Sequence, residues 1–186
     1  MTEKVYFNSP VLTAMAFAHG AHAAVGQVRK FNGAPYIIHP ARVVTILTQY
    51  TSDENLLGAA WLHDVVEDTG VSAEYLATLF PARMVAIVAE VTNVSKPEDG
   101  NRKVRKALDV AHLSNSTREG ATLKLADVFA NCEDAVAEDP KFAVRYCNEK
   151  IELLKVLGHG NTDLWNRVMT LLKDNLAKLA EMGYTE

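Results

Sequence analysis

The sequence predicts an all-α fold, a bundle of roughly eight to ten helices averaging about a dozen residues each. Three observations carry that prediction. Apolar residues recur at three- and four-residue intervals along most of the chain, as they do on one face of a helix. The periodic stretches open on Ser, Thr, Asp or Asn, and several close on glycine, the residue types that cap helix ends. No stretch alternates convincingly between apolar and polar, and neither a repeat nor a linker is evident. With 186 residues, 48% apolar and 23% charged, the chain is long enough to bury most of its apolar surface in one core. Residues 1–186 are therefore expected to form a single domain.

Ser9-Pro10 opens the first helix, a capping hydroxyl followed by proline at the first helical position, and Val11, Leu12, Met15, Ala18 and Val25 carry it to about Val28. His19 and His22 stand three apart in it; simple packing on a half-buried face is favoured over metal binding for that pair. Arg29 to Pro40 is a loop by its Gly33, Pro35 and Pro40. A residue before proline is held extended, which gives His39 a fixed backbone at the entrance of a second helix from Ala41 to Tyr50. Val43, Val44, Ile46 and Leu47 are its buried stripe. Ser52 caps a third helix, running through Trp61 to Asp68.

Gly70 and Ser72 punctuate a short helix ending before Pro81, and Ala82 to Thr92 is strongly apolar. Residues 95–101, with Pro97 and Gly100, read as a mobile loop leading into Arg102-Lys103-Val104-Arg105-Lys106, the densest positive charge in the chain. Ser116 or Thr117 caps the helix that contains Lys124 to Asn131. Asp139-Pro140 opens a long helix to about Leu157, closed by Gly158, and Asn161-Thr162 opens another to about Met182, closed by Gly183. Phe142, Ile151, Leu154, Leu164, Trp165, Val168 and Leu172 are their expected core residues.

The chemistry concentrates in Trp61-Leu62-His63-Asp64-Val65-Val66-Glu67-Asp68. On one continuous helix, with His63 at zero, Glu67 falls near about 40°, Asp64 near about 100° and Asp68 near about 140°, and the apolar residues take the remaining arc. One face is buried and the other carries only acid and imidazole. Asp64 and Asp68 are like charges at i,i+4 with Glu67 between them and no cation within a turn, an arrangement that repels itself unless something positive lies among the carboxylates. An imidazole alongside points to a metal ion. Asp127 poses the same question: an acid among Leu123, Leu125, Val128 and Phe129 needs a cation, either Lys124 or a metal. Lys124, Asp127 and Asn131 share a helix face.

His39, His63, Asp64 and Asp127 together offer two imidazoles and two carboxylates, which balance one divalent cation. A mixed N/O set with open positions favours one Mn²⁺ over a closed structural zinc. Glu67 and Asp68, not needed as ligands, would orient or deprotonate a water. Arg29 and Lys30 are either a phosphate- or base-contacting pair or solvated cations, and Arg102 to Lys106 is either a solvated face or a polyphosphate clamp.

Composition removes several other classes. A formal charge of −4 gives no reason to expect nucleic acid as a partner, and no segment approaches a membrane span. The N-terminus from Met1 to Tyr6 lacks the apolar stretch of a signal peptide. Cys132 and Cys147 form no metal doublet and suit core thiols in a reducing cytoplasm. Homo-oligomerisation is left open by the sequence.

An adjacent His-Asp on a helix, with an earlier His and a later Asp, resembles the HD superfamily of metal-dependent phosphohydrolases. The resemblance narrows with four motifs in order: Arg29-Lys30, then Gly33-x-Pro35-Tyr36-Ile37-x-His39-Pro40, then His63-Asp64-x-x-Glu67-Asp68, then Lys124-Leu125-Ala126-Asp127-x-x-x-Asn131. These are similar to the hydrolase domain of RelA/SpoT-type alarmone enzymes over nearly the whole chain. With no synthetase domain following, they resemble the stand-alone small alarmone hydrolases, the metazoan SpoT homologues included. The resemblance implies an HD-type helical bundle in which His39, His63, Asp64 and Asp127 hold Mn²⁺ and Glu67 and Asp68 activate water. Arg29 and Lys30 would flank the purine, Asn131 would contact the ribose, Tyr146 would pack beside the nucleoside, and Arg102 and Lys103 would meet the 5′ phosphates. The implied reaction is hydrolysis of the 3′-pyrophosphate of (p)ppGpp to pyrophosphate and GDP or GTP.

Two departures from the family pattern stand out, because Val128 and Glu133 occupy positions where family members usually carry basic residues. Their loss suggests a purine preference relaxed or shifted toward (p)ppApp. Two other readings compete. One is an HD phosphohydrolase acting on other nucleotides such as dNMPs or NADPH; the other is a non-catalytic nucleotide sensor, which would need a damaged metal set.

Overall fold

The computed structural model of the protein describes residues 9–30, 32–133 and 135–185. Met1 to Tyr6 and Phe31 of the first loop lie outside the described residues. Among the described residues there are nine helices of seven residues or more, two single helical turns and one 3-10 turn. The only β-type pairing among them is an isolated antiparallel bridge between Val28 and Pro35. The all-α expectation holds.

Helix α1 (Pro10–Ala24) begins where expected, the Ser9 hydroxyl accepting from the Leu12 N–H. It ends four residues early. Gly26 adopts φ 63, a left-handed conformation that glycine takes without penalty, and the Gln27 N–H bonds back to the His22 carbonyl at 3.0 Å. Val28 then pairs with Pro35 instead of extending the helix. His19 is exposed and His22 is buried, so the pair forms no common site.

Helix α2 (Ile38–Leu47) takes His39 and Pro40 into its first turn, so His39 is helical rather than extended. Proline is tolerated there because its missing N–H would have no partner anyway, and the His39 N–H closes the turn onto the Tyr36 carbonyl at 2.9 Å. Helix α3 (Glu54–Leu62) is capped by Asp53, not Ser52: its Oδ1 accepts from Asn55 N at 2.9 Å and Leu56 N at 3.0 Å. The expected continuous helix through Asp68 breaks at His63-Asp64 and resumes as the single turn α4 (Val65–Asp68).

Helices α5 (Ala73–Leu79) and α6 (Ala82–Val91) follow, then the 3-10 turn Pro97–Asp99 and α7 (Arg102–Leu113). The segment after α6 is tied to α7, because the buried Asp109 carboxylate accepts from Val94 N, Ser95 N and Ser95 Oγ at 3.0–3.2 Å. The axis of the bundle is α8 (Arg118–Glu133), with Thr117 Oγ1 accepting from Gly120 N at its start. Ala121, Leu123, Leu125, Ala126, Val128, Ala130 and Cys132 are buried around its whole circumference, as expected of a helix surrounded by others. Gly120 allows this approach: a Cβ there would run into the Glu90 carboxylate, which itself accepts from Thr117.

Around α8 pack α2, α6 and α11, with α1 reaching the core through α3. The single turn α9 (Ala135–Glu138) leads into α10 (Pro140–Leu154), which lies along α11 (Thr162–Glu181). Asp139 and Asn161 cap these last two helices as anticipated. Leu154, Leu164, Val168 and Leu172 are core, with Ile151 and Trp165 partly buried against it. Phe142 is not core: it is half-buried and stacks on Tyr146 at the wall of a pocket. Cys132 and Cys147 are buried free thiols, and burial pushes the Cys132 thiol up to about 12. No helix among the described residues is long and apolar enough to cross a membrane.

Candidate metal centre and adjoining clefts

The break at His63-Asp64 builds the site. On a continuous helix these two side chains would diverge by about 100°. Asp64 instead takes φ −100, ψ −4, the sparsely populated bridge region in which many active-site residues sit, and its carboxylate swings back beside the ring of His63. Nε2 of His63 lies 3.1 Å from Asp64 Oδ2 and 3.8 Å from Asp127 Oδ1. Nε2 of His39 lies 3.6 Å and 3.1 Å from the same two oxygens. Thus α2, the α3–α4 turn and α8 deliver two imidazoles and two carboxylates to one point, with His39, His63 and Asp64 offering ligand atoms within 4.8 Å of one another.

The donor set fits a divalent cation. His63 Nδ1 sits 2.7 Å from the Ala60 carbonyl, which can only accept, so Nδ1 carries the proton and Nε2 presents a lone pair. That lone pair is buried, has no hydrogen-bond partner among the described residues, and faces carboxylate oxygens. Acceptor against acceptor is stable only with a cation or a proton between them. The ionisation of the group says the same. Burial would lower the His63 pKa, yet Asp64 and Asp127 raise it well above its ordinary value. Burial would raise Asp127, but Lys124 and the two histidines hold it well below the carboxylate range. A metal ion supplies the same positive charge without the proton.

The surroundings hold each acid in place. Lys124 Nζ pairs with Asp127 Oδ2 at 2.8 Å, Asn131 Nδ2 donates to Asp127 Oδ1 at 2.7 Å, and the Tyr36 hydroxyl donates to Asp64 Oδ2 at 2.5 Å. Burial and the charge of Asp64 drive the Tyr36 pKa far up, so it remains a donor. Glu67 accepts from the backbone and side-chain amides of Asn93 at 2.8 and 2.6 Å. Desolvation of its carboxyl raises its pKa against those bonds and Lys124. Asp68 accepts from Gln27 Nε2 at 2.8 Å.

Two clefts open from this centre. A cavity of about 1200 Å³ has Asp64, Glu67, Asp68 and Asp127 at its floor and Arg102, Lys103, Lys106 and Lys150 on its walls. Arg102 is pinned to Glu149, Nη2 to Oε2 at 2.8 Å. A smaller pocket of about 320 Å³ is bounded by Arg29, Lys30, Asn131, Phe142 and Tyr146. Tyr36 and Asn131 line both, so the pocket joins the cavity beside the metal centre. Arg29, Lys30, Glu67, Asp68, Arg102, Lys103, Asn131 and Tyr146 each line one of the two spaces, with the four-ligand cluster between them.

Sequence reasoning missed Tyr36, Gln27, Asn93, Phe142 and Lys150 as parts of this region, whereas Lys106 belongs to the basic run already read as a candidate polyphosphate clamp. Tyr36 lay inside a quoted motif, and Lys150 stands four residues after Tyr146 on α10. Val128 and Glu133 give no support to a shifted base preference. Val128 is buried in the core, and Glu133 pairs with Arg42 at 2.7 Å; neither lines the described pockets.

The HD-domain family model matches residues 14–141, well over half of the chain. The chain belongs to the HD-domain family. His63 and Asp64 are an adjacent His-Asp pair within the matched span. Among relatives, a probable guanosine-3′,5′-bis(diphosphate) 3′-pyrophosphohydrolase from Synechocystis is 41% identical over 152 residues, 80% of this HD chain and 20% of that protein. The Drosophila melanogaster guanosine-3′,5′-bis(diphosphate) 3′-pyrophosphohydrolase MESH1 is 37% identical over 108 residues, 57% of this chain and 59% of that one. The chain spans about a fifth of the length of several curated relatives it matches. The solved structure of a metazoan orthologue of SpoT, described as hydrolysing ppGpp and acting in starvation responses, superposes with a TM-score of 0.79 at 28% identity. It covers 91% of this HD chain and 97% of the other.

Proposed function

We propose that this HD domain is a metal-dependent 3′-pyrophosphohydrolase of (p)ppGpp, all 186 residues forming one hydrolase unit. The observation that carries the reading is the convergence of His39, His63, Asp64 and Asp127 at the junction of a basic cavity and a nucleoside-sized pocket. One Mn²⁺ held by these four side chains would supply Lewis-acid chemistry, acidifying a water and polarising a phosphoryl oxygen. The relatives whose names state this activity support it.

The chain's own residues divide the remaining work. Glu67, made more basic by desolvation, accepts the proton, and Asp68 orients the water. That water gives a proton to Glu67 and attacks the phosphorus next to the ribose 3′-oxygen; the P–O3′ bond breaks with its electron pair on O3′, which takes up a proton as the 3′-hydroxyl of GDP or GTP, and pyrophosphate is released. The purine enters the smaller pocket against the stacked Phe142 and Tyr146, ring centroids 5.4 Å apart. Lys30 lies 5.7 Å over Phe142, Arg29 reaches Asn131 at 3.4 Å, and Asn131 meets the ribose. Arg102 and Lys103 take the 5′ phosphates. Buried free thiols suit a reducing cytoplasm, and a small nucleotide is the partner this site accommodates.

The test is metal-free protein, Mn²⁺ added back, and chromatography of products from ppGpp, ppApp, dNMPs and NADPH. Mn²⁺-dependent release of pyrophosphate from ppGpp is expected. Turnover of dNMPs or NADPH alone would replace this reading with that of a general nucleotide phosphohydrolase, and binding without turnover would make the protein a sensor. The ppGpp to ppApp ratio reads the base preference directly.

Lys150 gives the site a pH dependence. Burial and then Lys124 push its ammonium down to about 8, against the pull of Asp127. It is charged below that pH and neutral above it. KM for a polyanionic substrate is therefore expected to rise about fivefold between about pH 7 and about pH 9, roughly 1 kcal/mol for one screened charge contact. In Lys150→Met that step should disappear from the pH profile of kcat/KM.

A further inference from the structure

Each of the two carboxylates beside the metal ligands is gripped by an amide from another element: Glu67 by Asn93, and Asp68 by Gln27. The second grip continues inward. Gln27 Oε1 lies 2.6 Å from Nδ1 of His22, a ring only 1% exposed. The other ring nitrogen, Nε2, is buried and has no hydrogen-bond partner among the described residues. The ring packs 4.8 Å from Tyr36, centroid to centroid.

An imidazole with one nitrogen facing an amide oxygen and the other facing nothing carries its proton on the first. Burying the other nitrogen unpaired is unfavourable, and a phenyl ring would fill the same space without that penalty. What imidazole adds is one donor aimed at Gln27. That donor assigns the ends of the amide: oxygen toward His22, NH₂ toward Asp68. The flipped amide would set oxygen against carboxylate on one side and N–H against N–H on the other. Local structure fixes the geometry, since Gly26 at φ 63 folds Gln27 back over the end of α1, where its N–H meets the His22 carbonyl.

We infer that Gln27 is a positioning residue that fixes the Asp68 carboxylate at the edge of the metal-site cavity, and that His22 fixes Gln27. The inference rests on the hydrolase reading, in which Asp68 orients water. Asp68 is otherwise an exposed side chain on a single-turn helix, with several rotamers open to it, and the amide selects one.

The experiment compares Gln27→Met, His22→Phe and His22→Asn, each alone and with Asp68→Asn, after circular dichroism has established that each variant is helical. Gln27→Met should lower kcat about tenfold, as expected for loss of a hydrogen bond to a charged group, with KM and Mn²⁺ affinity unchanged. His22→Phe should lose several-fold, and His22→Asn should recover most of it, because the asparagine NH₂ stands where Nδ1–H stood. With Asp68→Asn already present, Gln27→Met should have no further effect. A full additional loss there, or a change confined to KM, would overturn the inference and leave Gln27 a merely structural residue. A readout independent of turnover is the Gln27 side-chain amide resonance in metal-free protein. It should move in Asp68→Asn and His22→Phe and stay in place in His22→Asn. Amide signals indifferent to Asp68→Asn would sink this inference; responsive signals in a protein that leaves alarmones intact would sink the hydrolase reading alone.

Discussion

Replacing His63 or Asp64 with alanine is expected to abolish Mn²⁺-dependent turnover, by about a thousandfold or more, while leaving the chain helical. The two changes act differently. His63→Ala removes one nitrogen ligand and, in the metal-free chain, the protonatable ring that lies beside both the Asp64 and Asp127 carboxylates, so that chain loses packing and a favourable charge contact. Asp64→Ala removes the oxygen that lies 3.1 Å and 3.6 Å from the two imidazoles. It also strands the Tyr36 hydroxyl, which donates to that oxygen. Leaving this half-buried hydroxyl unpaired costs at most about 1–3 kcal/mol, so Asp64→Ala should melt lower than Asp64→Asn, in which an acceptor oxygen remains. Both alanine variants should bind Mn²⁺ far more weakly in calorimetry. Unchanged turnover in either would refute the metal assignment and the reaction built on it.

Much of this candidate site was legible in the sequence because the residue types able to hold a metal stand out. Two imidazoles and two acids at His39, His63, Asp64 and Asp127 have few other reasons to occur together, and they converge as expected. What the sequence concealed is how they converge. Trp61 to Asp68 contains neither glycine nor proline, so its periodicity reads as one helix, whereas the break at His63-Asp64 comes from tertiary demands on both side chains at once. His39 likewise sits in a helical first turn although the following proline disfavours it, because the Tyr36 carbonyl closes that turn. Phe142 looked like core since an apolar ring on a helix usually is; only the placement of α10 shows that it walls a pocket. Gln27 and His22 were missed for a different reason. They act through Asp68 rather than on any substrate, and a residue whose role is to hold another carries no chemical signature of its own.

Lys124→Met is expected to give the largest loss of stability in the metal-free protein, about 3–5 kcal/mol, the usual consequence of breaking a buried ion pair by removing one partner. The pair is well enclosed, with side chains 13% and 8% exposed and 2.8 Å between Lys124 Nζ and Asp127 Oδ2. Methionine keeps the volume and removes the charge, so the loss reports electrostatics rather than a cavity. Burial raises the Asp127 pKa, and Lys124 is the largest influence opposing it; without the lysine, the acid should move back up. The sign of the pH dependence follows. Because the folded-state pKa of Asp127 lies below its unfolded value, its contribution is fully present above the unfolded pKa and is lost as pH falls through the folded one. Urea unfolding of the metal-free wild type should therefore show stability falling with acidification, and Lys124→Met should start lower at neutral pH and fall less. Asn131→Leu, which removes a neutral donor to the same carboxylate and the long contact that Asn131 Oδ1 accepts from Arg29, should cost more nearly 1–3 kcal/mol, about the penalty for one lost hydrogen bond to a charged group. Saturating Mn²⁺ should narrow the gap between Lys124→Met and wild type, since an ion that binds only the folded chain stabilises it by mass action and brings positive charge to the same acid. Equal stability of Lys124→Met and wild type without metal would mean that Asp127 is held by its imidazole neighbours and Asn131 without help from the lysine.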